Sequence, residues 1–158
     1  MKVFIIGAAG SGKTTFAKSL AESLRLEMTN LDGIFWINDG KSYGVQRPES
    51  ERTTLFNEVL KKTSWVIEGA YVGWPKQAAL QADLVVFMDV GRGELRRRIF
   101  RRFLLRKAGI NTENRKESLK SLVDILLWNR TQITIIRAFV AELESERKVL
   151  RLRGVKWK

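Results

Sequence analysis

The stretch Gly7-Ala8-Ala9-Gly10-Ser11-Gly12-Lys13-Thr14 fits the pattern G-x-x-x-x-G-K-[ST] at every fixed position. It follows a short apolar run, Met1 to Ile6, that predicts a strand buried on both faces. It opens a segment, Gly12 to Leu24, whose apolar residues recur at helical spacing. Strand, glycine-rich turn and helix in this order are the context that the pattern requires. The stretch therefore predicts a phosphate-binding loop at the start of the first helix.

Each fixed position of this loop has a physical role. The glycines permit backbone conformations in which successive N–H groups point inward and form an anion-binding nest at a helix N-terminus. Lys13 supplies a positive charge to the β- and γ-phosphates, and the Thr14 hydroxyl is placed to ligate Mg²⁺. The expected ligands are ATP or a similar nucleoside triphosphate and Mg²⁺. The residues predicted to bind them are Gly7, Ala8, Ala9, Gly10, Ser11, Gly12, Lys13, Thr14 and Thr15.

A dinucleotide-binding turn is the alternative interpretation of the same glycines. Asp32 lies about where a ribose-binding acid would be expected in such a fold. The glycine spacing here, however, is G-x-x-G-x-G rather than G-x-G-x-x-G. A dinucleotide-binding turn also makes no use of Lys13 and Thr14, so we discount this alternative.

The composition limits which chemistry is open to the protein. The chain has 158 residues, enough for one ordinary domain, and contains neither histidine nor cysteine. Disulfides, zinc fingers, thiol nucleophiles and imidazole acid–base catalysis are therefore excluded. Catalysis would use carboxylates, lysine, arginine, backbone amides and a hard metal. Because no apolar run reaches the length of a membrane span, we expect a soluble, cytoplasmic protein that does not associate with membranes.

The positive charge is concentrated in two stretches. Residues 92–107 carry a net charge of +7 and residues 147–158 carry +6, whereas the whole chain carries +12, so the remainder is close to neutral. Local basicity of this kind is typical of an anion site or of a surface that binds nucleic acid, and DNA is a candidate partner of these stretches. Solvated basic faces are the simpler alternative.

The rest of the chain alternates between strand and helix patterns, which indicates an α/β fold with a mostly parallel sheet. Further strands are predicted at 26–31, 65–67, 84–88 and 149–152. Further helices are predicted at 48–62, 74–80, 91–107 and 117–146, the last with a break near Asn129. Loops are expected at 32–46, which includes the cluster Asn38-Asp39-Gly40, and at 108–116.

Five segments in this order resemble small P-loop kinases of the adenylate kinase and shikimate kinase type. They are VFIIGAAGSGKTT at 3–15, LDGIFW at 31–36, WVIEGAY at 65–71, ADLVVFMD at 82–89 and RRRIFRRF at 96–103. Within that group, the combination of LD-x-x-x-W with W-V-I-E-G is similar to the DNA topology modulation proteins.

The resemblance implies a fold and an activity. The fold is a three-layer P-loop NTPase domain over 1–158, with a five-stranded parallel sheet in the order 2-3-1-4-5, helices on both faces and a basic helical lid. The acceptor-binding segment would lie at about 33–63 and the lid at about 98–118. The activity is transfer of the γ-phosphate of MgATP to an unidentified small acceptor. The alternative function is that of a nucleotide-regulated DNA-binding protein.

The resemblance also implies roles for individual residues. Arg98 and Arg102 match paired arginines that lead into the lid, and their spacing of four puts both on one helix face. The catalytic residues would be Lys13, Asp32, Arg98 and Arg102. The acceptor would contact Asp32, Arg47, Arg52, Glu68 and Tyr71. Thr14 would bind the metal, with Asp32 or Asp89 acting through a bound water.

Simpler interpretations exist for several of these residues. Asp32 precedes Gly33 and fits an ordinary turn, and Glu68 fits a helix cap or a partner of an arginine. The tryptophans at 36, 74 and 128 fit the core or the walls of an acceptor pocket. Kinases of this group continue past the last strand into a closing helix, whereas this sequence ends at Lys158. We therefore expect a loose adenine pocket, or one completed by another subunit.

Overall fold

Strands and helices alternate along the chain in the computed structural model of the protein, which describes residues 1–37, 44–110 and 118–153. The strands are β1 (Lys2–Gly7), β2 (Met28–Asn30), β3 (Trp65–Gly69), β4 (Leu84–Met88) and β5 (Val149–Leu152). The helices are α1 (Lys13–Leu24), α2 (Leu31–Phe35), α3 (Glu49–Lys61), α4 (Lys76–Gln81), α5 (Arg92–Lys107) and α6 (Leu119–Leu143).

The described strands form one five-stranded sheet in the order β2-β3-β1-β4-β5, and every neighbouring pair is parallel. This order confirms the predicted one. Ile5 of β1 lies opposite Glu68 of β3, and Gly7 at the end of β1 lies opposite Met88 of β4. The carboxyl ends of the three central strands therefore meet at one edge of the sheet, where α/β proteins bind their ligands.

Helices cover both faces of the sheet, as predicted. On one face, α1 packs Ala17 and Ala21 against Val3, Ile5 and Val66. On the other face, the buried helical residues include Phe56 and Leu60 of α3, Ala78 and Ala79 of α4, and Ile136 and Val140 of α6. The central strands β1, β3 and β4 are mostly apolar because both of their sides are buried.

A third cluster joins α5 to α6 beside the glycine-rich loop. Ile99 and Phe103 of α5 pack with Leu122 of α6, and Ala9 of the loop packs against this cluster. Gly10 lies so close to α5 that an added Cβ would be 3.0 Å from the Ile99 side chain. The loop is therefore held between the sheet edge and the α5–α6 pair.

Two local predictions were wrong. The segment after Leu31 begins as helix α2 rather than as a loop, because the Asn30 side chain accepts a hydrogen bond from the Asp32 amide and caps the helix. The long helix α6 continues through Asn129 without a break. Asn129 does not disturb it because its side chain is 3% exposed and bonds to another segment of the protein.

Some predicted features fall wholly or partly on residues 38–43, 111–117 and 154–158, which lie outside the described residues. They are the cluster Asn38-Asp39-Gly40, part of the acceptor segment at 33–63, part of the lid at 98–118, and the end of the basic stretch at 147–158. Among the residues that are described, no helix has the length and apolar character needed to cross a membrane.

Candidate functional site

The glycine-rich loop ends in a helix N-terminus whose amides are open to a ligand. Gly10 and Gly12 have φ angles of 80° and 90°, in the left-handed region that favours glycine. Gly12 precedes α1 and provides no side-chain cap for it. The first turn of α1 contains no acidic residue and begins with Lys13. Uncapped amides and a lysine are the features that the predicted anion site requires at this turn.

The remaining loop residues pack closely around this turn. Gly7 ends β1, where an added Cβ would lie 2.7 Å from the Ser11 hydroxyl and 2.9 Å from the Met88 side chain. Ser11 is fully buried, and its hydroxyl has no hydrogen-bond partner among the described residues. Thr15, the last residue of the predicted set, is exposed on α1.

A buried carboxylate lies directly against the loop. Glu68, near the end of β3, is 1% exposed, and its Oε1 accepts a hydrogen bond of 3.0 Å from the Thr14 hydroxyl. Its Oε2 is buried without a hydrogen-bond partner in the described part of the chain. Burial raises the pKa of the Glu68 carboxyl above its ordinary value of 4.5, while the charge of Lys13 and the Thr14 hydrogen bond oppose that rise. The structure thus brings Glu68 into contact with Thr14, the residue whose hydroxyl is predicted to bind the metal.

Glu68→Gln is expected to gain stability relative to the wild type as the pH rises from about 4.5. The raised pKa means that the folded protein holds this proton more tightly than the unfolded chain does. Ionisation therefore costs the wild type free energy that the glutamine variant does not lose. Urea unfolding between pH 4 and pH 8 measures the difference between the two free energies of unfolding, and Glu58→Gln on the exposed face of α3 is the control. A difference that stays flat or shrinks with pH would contradict this expectation.

The predicted acceptor residues gather around α2. The Tyr71 hydroxyl donates a hydrogen bond of 2.7 Å to Asp32 Oδ1, in the first turn of α2. The Tyr71 ring stacks on Phe35 with centroids 4.9 Å apart, and the Arg52 guanidinium lies 4.8 Å from the Phe35 centroid on α2. Arg47 Nε donates to the Ile34 carbonyl at 3.1 Å. The negative charge of Asp32 contributes to the raised pKa of Glu68, which lies against the glycine-rich loop. Asp32 is therefore electrostatically coupled to that loop.

Two of the three tryptophans singled out in the sequence belong to the same aromatic group. Trp36 and Trp74 lie 4.8 Å and 6.4 Å from Phe35, measured between ring centroids. Trp128 lies instead on α6, with 44% of its surface exposed. Trp74 packs against the main core, Trp36 lies beside Phe35 in the same aromatic group, and Trp128 has a different location.

The basic helix α5 directs an arginine at the loop. Arg98 Nη1 donates to the Ser11 carbonyl at 3.2 Å, and Arg98 Nε donates to Glu94 Oε1 at 2.7 Å. Hydrogen bonds from Arg97 and Arg98 lower the pKa of the Glu94 carboxyl from 4.5 to about 2. Arg102 follows one turn later and is half-buried. Arg98 is thus positioned at the loop by a carboxylate on its own helix.

Asp89, which the resemblance names with Asp32 as an acid that could act on the metal through a water, has arginine partners instead. It follows β4, its side chain is 9% exposed, and its Oδ1 accepts bonds of 3.2 Å and 2.9 Å from Arg137. Its Oδ2 lies 3.9 Å from Arg151 Nη1 and 3.5 Å from Arg153 Nε. Arginines from α6 and the end of the sheet therefore surround Asp89, whereas Glu68 contacts Thr14.

Two amide side chains of α6 contact the site and were missed in the sequence. Asn129 forms two hydrogen bonds with the backbone of Ala9, and Gln132 donates one to the Ala70 carbonyl. Asn129 occupies a buried position in the apolar periodicity of α6, next in line after Leu122 and before Ile133. A polar residue at a core-facing helical position is the pattern that could have pointed to a specific partner.

These residues fit ATP and Mg²⁺. The helix N-terminus and Lys13 suit phosphate oxygens, and the Thr14 hydroxyl with the unpartnered Glu68 Oε2 suits a hydrated cation. The described residues contain no group of three or more acidic, histidine or cysteine side chains that could hold a metal by themselves. Mg²⁺ typically uses one or two carboxylates together with substrate phosphates and water, so such a group is not needed here.

Comparisons with known proteins define the fold. No family model matches the sequence, and no curated protein matches it. Among solved structures, the chain is similar to shikimate kinase from Bacteroides thetaiotaomicron, with a TM-score of 0.58 and 18% sequence identity. The alignment covers 96% of this chain and 85% of that chain. The chain therefore has the α/β P-loop kinase fold that is found in shikimate kinase.

Proposed function

We propose that the protein is an ATP-dependent phosphotransferase that transfers the γ-phosphate of MgATP to the hydroxyl group of a small acceptor. The observation that carries the proposal is the meeting of three features at one sheet edge. They are the uncapped N-terminus of α1 with Lys13, the Thr14–Glu68 pair, and the arginine that α5 directs at the Ser11 carbonyl. Phosphoryl transfer depends mainly on positioning and charge neutralisation, which these groups supply.

The nucleotide would be held by groups of the loop. The amides of the first turn of α1 and the Lys13 ammonium would bind the phosphates, while Thr14 and Glu68 would hold Mg²⁺. When bound, Mg²⁺ supplies neutralising charge at the phosphate oxygens. The Thr14 hydroxyl donates to Glu68 Oε1, so the two groups lie beside one another.

The acceptor would lie on the α2 side of the loop. Asp32 Oδ1 accepts the Tyr71 hydroxyl, which orients the carboxylate. A carboxylate held in this way can orient an acceptor hydroxyl and accept its proton as that hydroxyl attacks phosphorus. Arg47 and Arg52, which lie around α2, would add positive charge on the acceptor side. These features favour a small acceptor that carries both a hydroxyl and an anionic group.

The arginines of α5 would act on the phosphoryl group during transfer. Arg98 lies at the loop and is fixed by Glu94, so it would need little rearrangement to neutralise charge there. Arg102 is next along the same face of α5 and would extend the positive surface along that helix.

The experiment that tests the proposal is the release of ADP from MgATP in the presence of a panel of acceptors. The panel contains nucleosides, nucleoside monophosphates, shikimate-like hydroxy acids and sugar alcohols, and Lys13→Ala serves as the inactive control. We expect one class of acceptor to stimulate ADP release by the wild type, with an equal amount of phosphorylated product. No stimulation by any member of the panel would count against the proposal.

A second candidate function is nucleotide-regulated DNA binding, as the resemblance to the DNA topology modulation proteins implies. The exposed arginines 96, 97 and 101 on α5 favour its inclusion. Duplex DNA therefore forms a separate arm of the experiment, with affinity measured against salt concentration. Backbone contacts alone would weaken steeply with salt. Affinity that persists at physiological salt, without stimulation by any small acceptor, would favour this function over the kinase.

A further inference from the structure

Helix α6 is hydrogen-bonded through one amide side chain to the glycine-rich loop at residues 7–14, the predicted phosphate loop. Ala9 N–H donates a hydrogen bond of 3.1 Å to Asn129 Oδ1, and Asn129 Nδ2 donates one of 3.0 Å to the Ala9 carbonyl. The two residues are 120 positions apart in the sequence. Asn129 is 3% exposed, and both bonds are partly buried. The amide thus satisfies the backbone donor and the backbone acceptor of a single loop residue.

The same helix also holds the loop that follows β3. Gln132 Nε2 donates a hydrogen bond of 2.6 Å to the Ala70 carbonyl, two residues after Glu68. Asn129 and Gln132 are three residues apart in an unbroken helix, which separates them by about 4.5 Å along its axis. Rigid spacing between the two amides therefore sets the spacing between the loop after β1 and the loop after β3.

The position of Ala9 shows why its two hydrogen bonds with Asn129 matter for anion binding. Ala9 directly precedes Gly10, whose φ of 80° is part of the loop conformation that turns amides inward. A glycine-rich loop loses much conformational freedom when it is fixed in one shape. A loop that is already fixed before the ligand arrives binds it more tightly, because binding then causes no further loss of conformational entropy in the loop.

We infer that Asn129 is a positioning residue that holds the phosphate loop in its anion-binding conformation before any nucleotide binds, and that Gln132 ties the acceptor-side loop to the same helix. The inference deepens the proposed function and rests on it for the identity of the anion. It assigns separate effects to the two amides, since only Asn129 contacts the phosphate loop.

The test compares Asn129→Leu with Gln132→Leu on the full chain. Leucine resembles asparagine in size but forms no hydrogen bonds. Titration calorimetry with MgADP, and separately with tripolyphosphate, measures the affinity of the loop for anions. We expect Asn129→Leu to weaken both affinities by about tenfold or more, and Gln132→Leu to change them by less than about twofold.

Leu143→Ala is the control for loss of stability. Leu143 is 1% exposed near the end of α6 and packs in the main core rather than against the loop. The inference requires that it destabilise the fold without a comparable loss of anion affinity. Equal weakening in Asn129→Leu, Gln132→Leu and Leu143→Ala, or unchanged affinity in Asn129→Leu, would overturn the assignment.

Hydrogen exchange provides a readout that needs neither activity nor ligand. The Ala9 amide of the ligand-free wild type should exchange slowly, and should exchange much faster in Asn129→Leu than in Gln132→Leu. Fast exchange of this amide in the wild type would contradict the positioning role of Asn129, even if a variant failed to fold. If the wild type binds neither MgADP nor tripolyphosphate, the proposed function fails. The exchange rate of the Ala9 amide alone then decides whether Asn129 fixes the loop.

Discussion

Lys13→Ala is expected to lower the turnover of MgATP by a factor of about 10³ while leaving the fold intact. Lys13 begins α1 beside the uncapped helix N-terminus, and its charge acts on the buried Glu68. Loss of the ammonium removes neutralising charge from the phosphates during transfer. It also removes one of the influences that hold the pKa of Glu68 down, so this carboxylate, which we propose holds Mg²⁺, becomes harder to ionise. Initial rates of ADP release between pH 6 and pH 8 measure both effects.

Lys18→Ala is a closely matched control for this prediction. Lys18 lies on the same helix, is exposed, and contributes a weaker electrostatic effect on Glu68. We expect its turnover to stay within about twofold of the wild type, since an exposed charge at this distance is largely screened. Similar losses in the two variants would indicate that the general positive field of α1 matters, rather than a specific contact of Lys13. Thermal unfolding of both variants checks that the fold is kept.

The glycine-rich loop at residues 7–14 could be predicted from the sequence because its conformation depends on neighbouring residues in the chain. The strand from Lys2, the glycines with positive φ and helix α1 are all determined within the first 24 residues. The alternation of strand and helix patterns was enough to predict a parallel sheet. The order of the strands came from the resemblance to P-loop kinases, and the structure confirms it. The sequence did not predict the short helix α2 because Asp32 and Gly33 fit an ordinary turn, whereas Asn30, the last residue of β2, caps a helix there.

The sequence could not show which acidic residue lies beside Thr14. Glu68 lies near the end of β3 and Asp89 directly follows β4, and both strands pair with β1. Their environments differ through residues that are distant in the sequence. Thr14, 54 positions before Glu68, donates to it, whereas Arg137, 48 positions after Asp89, occupies that carboxylate. The acceptor role predicted for Glu68 stays a prediction, and the structure adds its contact with the loop threonine.

Asn129 illustrates a different limit of prediction. A polar residue within an apolar helical pattern favours two interpretations, a break in the helix or a buried hydrogen bond. Only the position of the loop, 120 residues earlier, distinguishes them. The unbroken α6 and the paired bonds to Ala9 decide for the second interpretation. Buried polar groups usually have partners, so a polar residue at a core position deserves a search for one.

Asp32→Asn is expected to lower the turnover number by a factor of about 10²–10⁴, the usual contribution of a general base, with a smaller effect on the affinity for MgATP. Asparagine keeps an oxygen that can accept the Tyr71 hydroxyl at the position of Asp32 Oδ1, so the local geometry should persist. What it loses is the negative charge and the ability to accept the acceptor's proton. Removal of that charge also eases the ionisation of Glu68, so metal binding should not suffer.

Tyr71→Phe separates orientation from proton transfer at the same carboxylate. The phenylalanine ring can still stack on Phe35, but Asp32 loses the hydroxyl that orients it. We therefore expect a loss of turnover of about tenfold or less, well below that of Asp32→Asn. Initial rates at saturating MgATP, with the stimulating acceptor varied, give the turnover number and KM for each variant. An Asp32→Asn variant with normal turnover and a raised KM for the acceptor would assign Asp32 to acceptor binding and exclude it as the base.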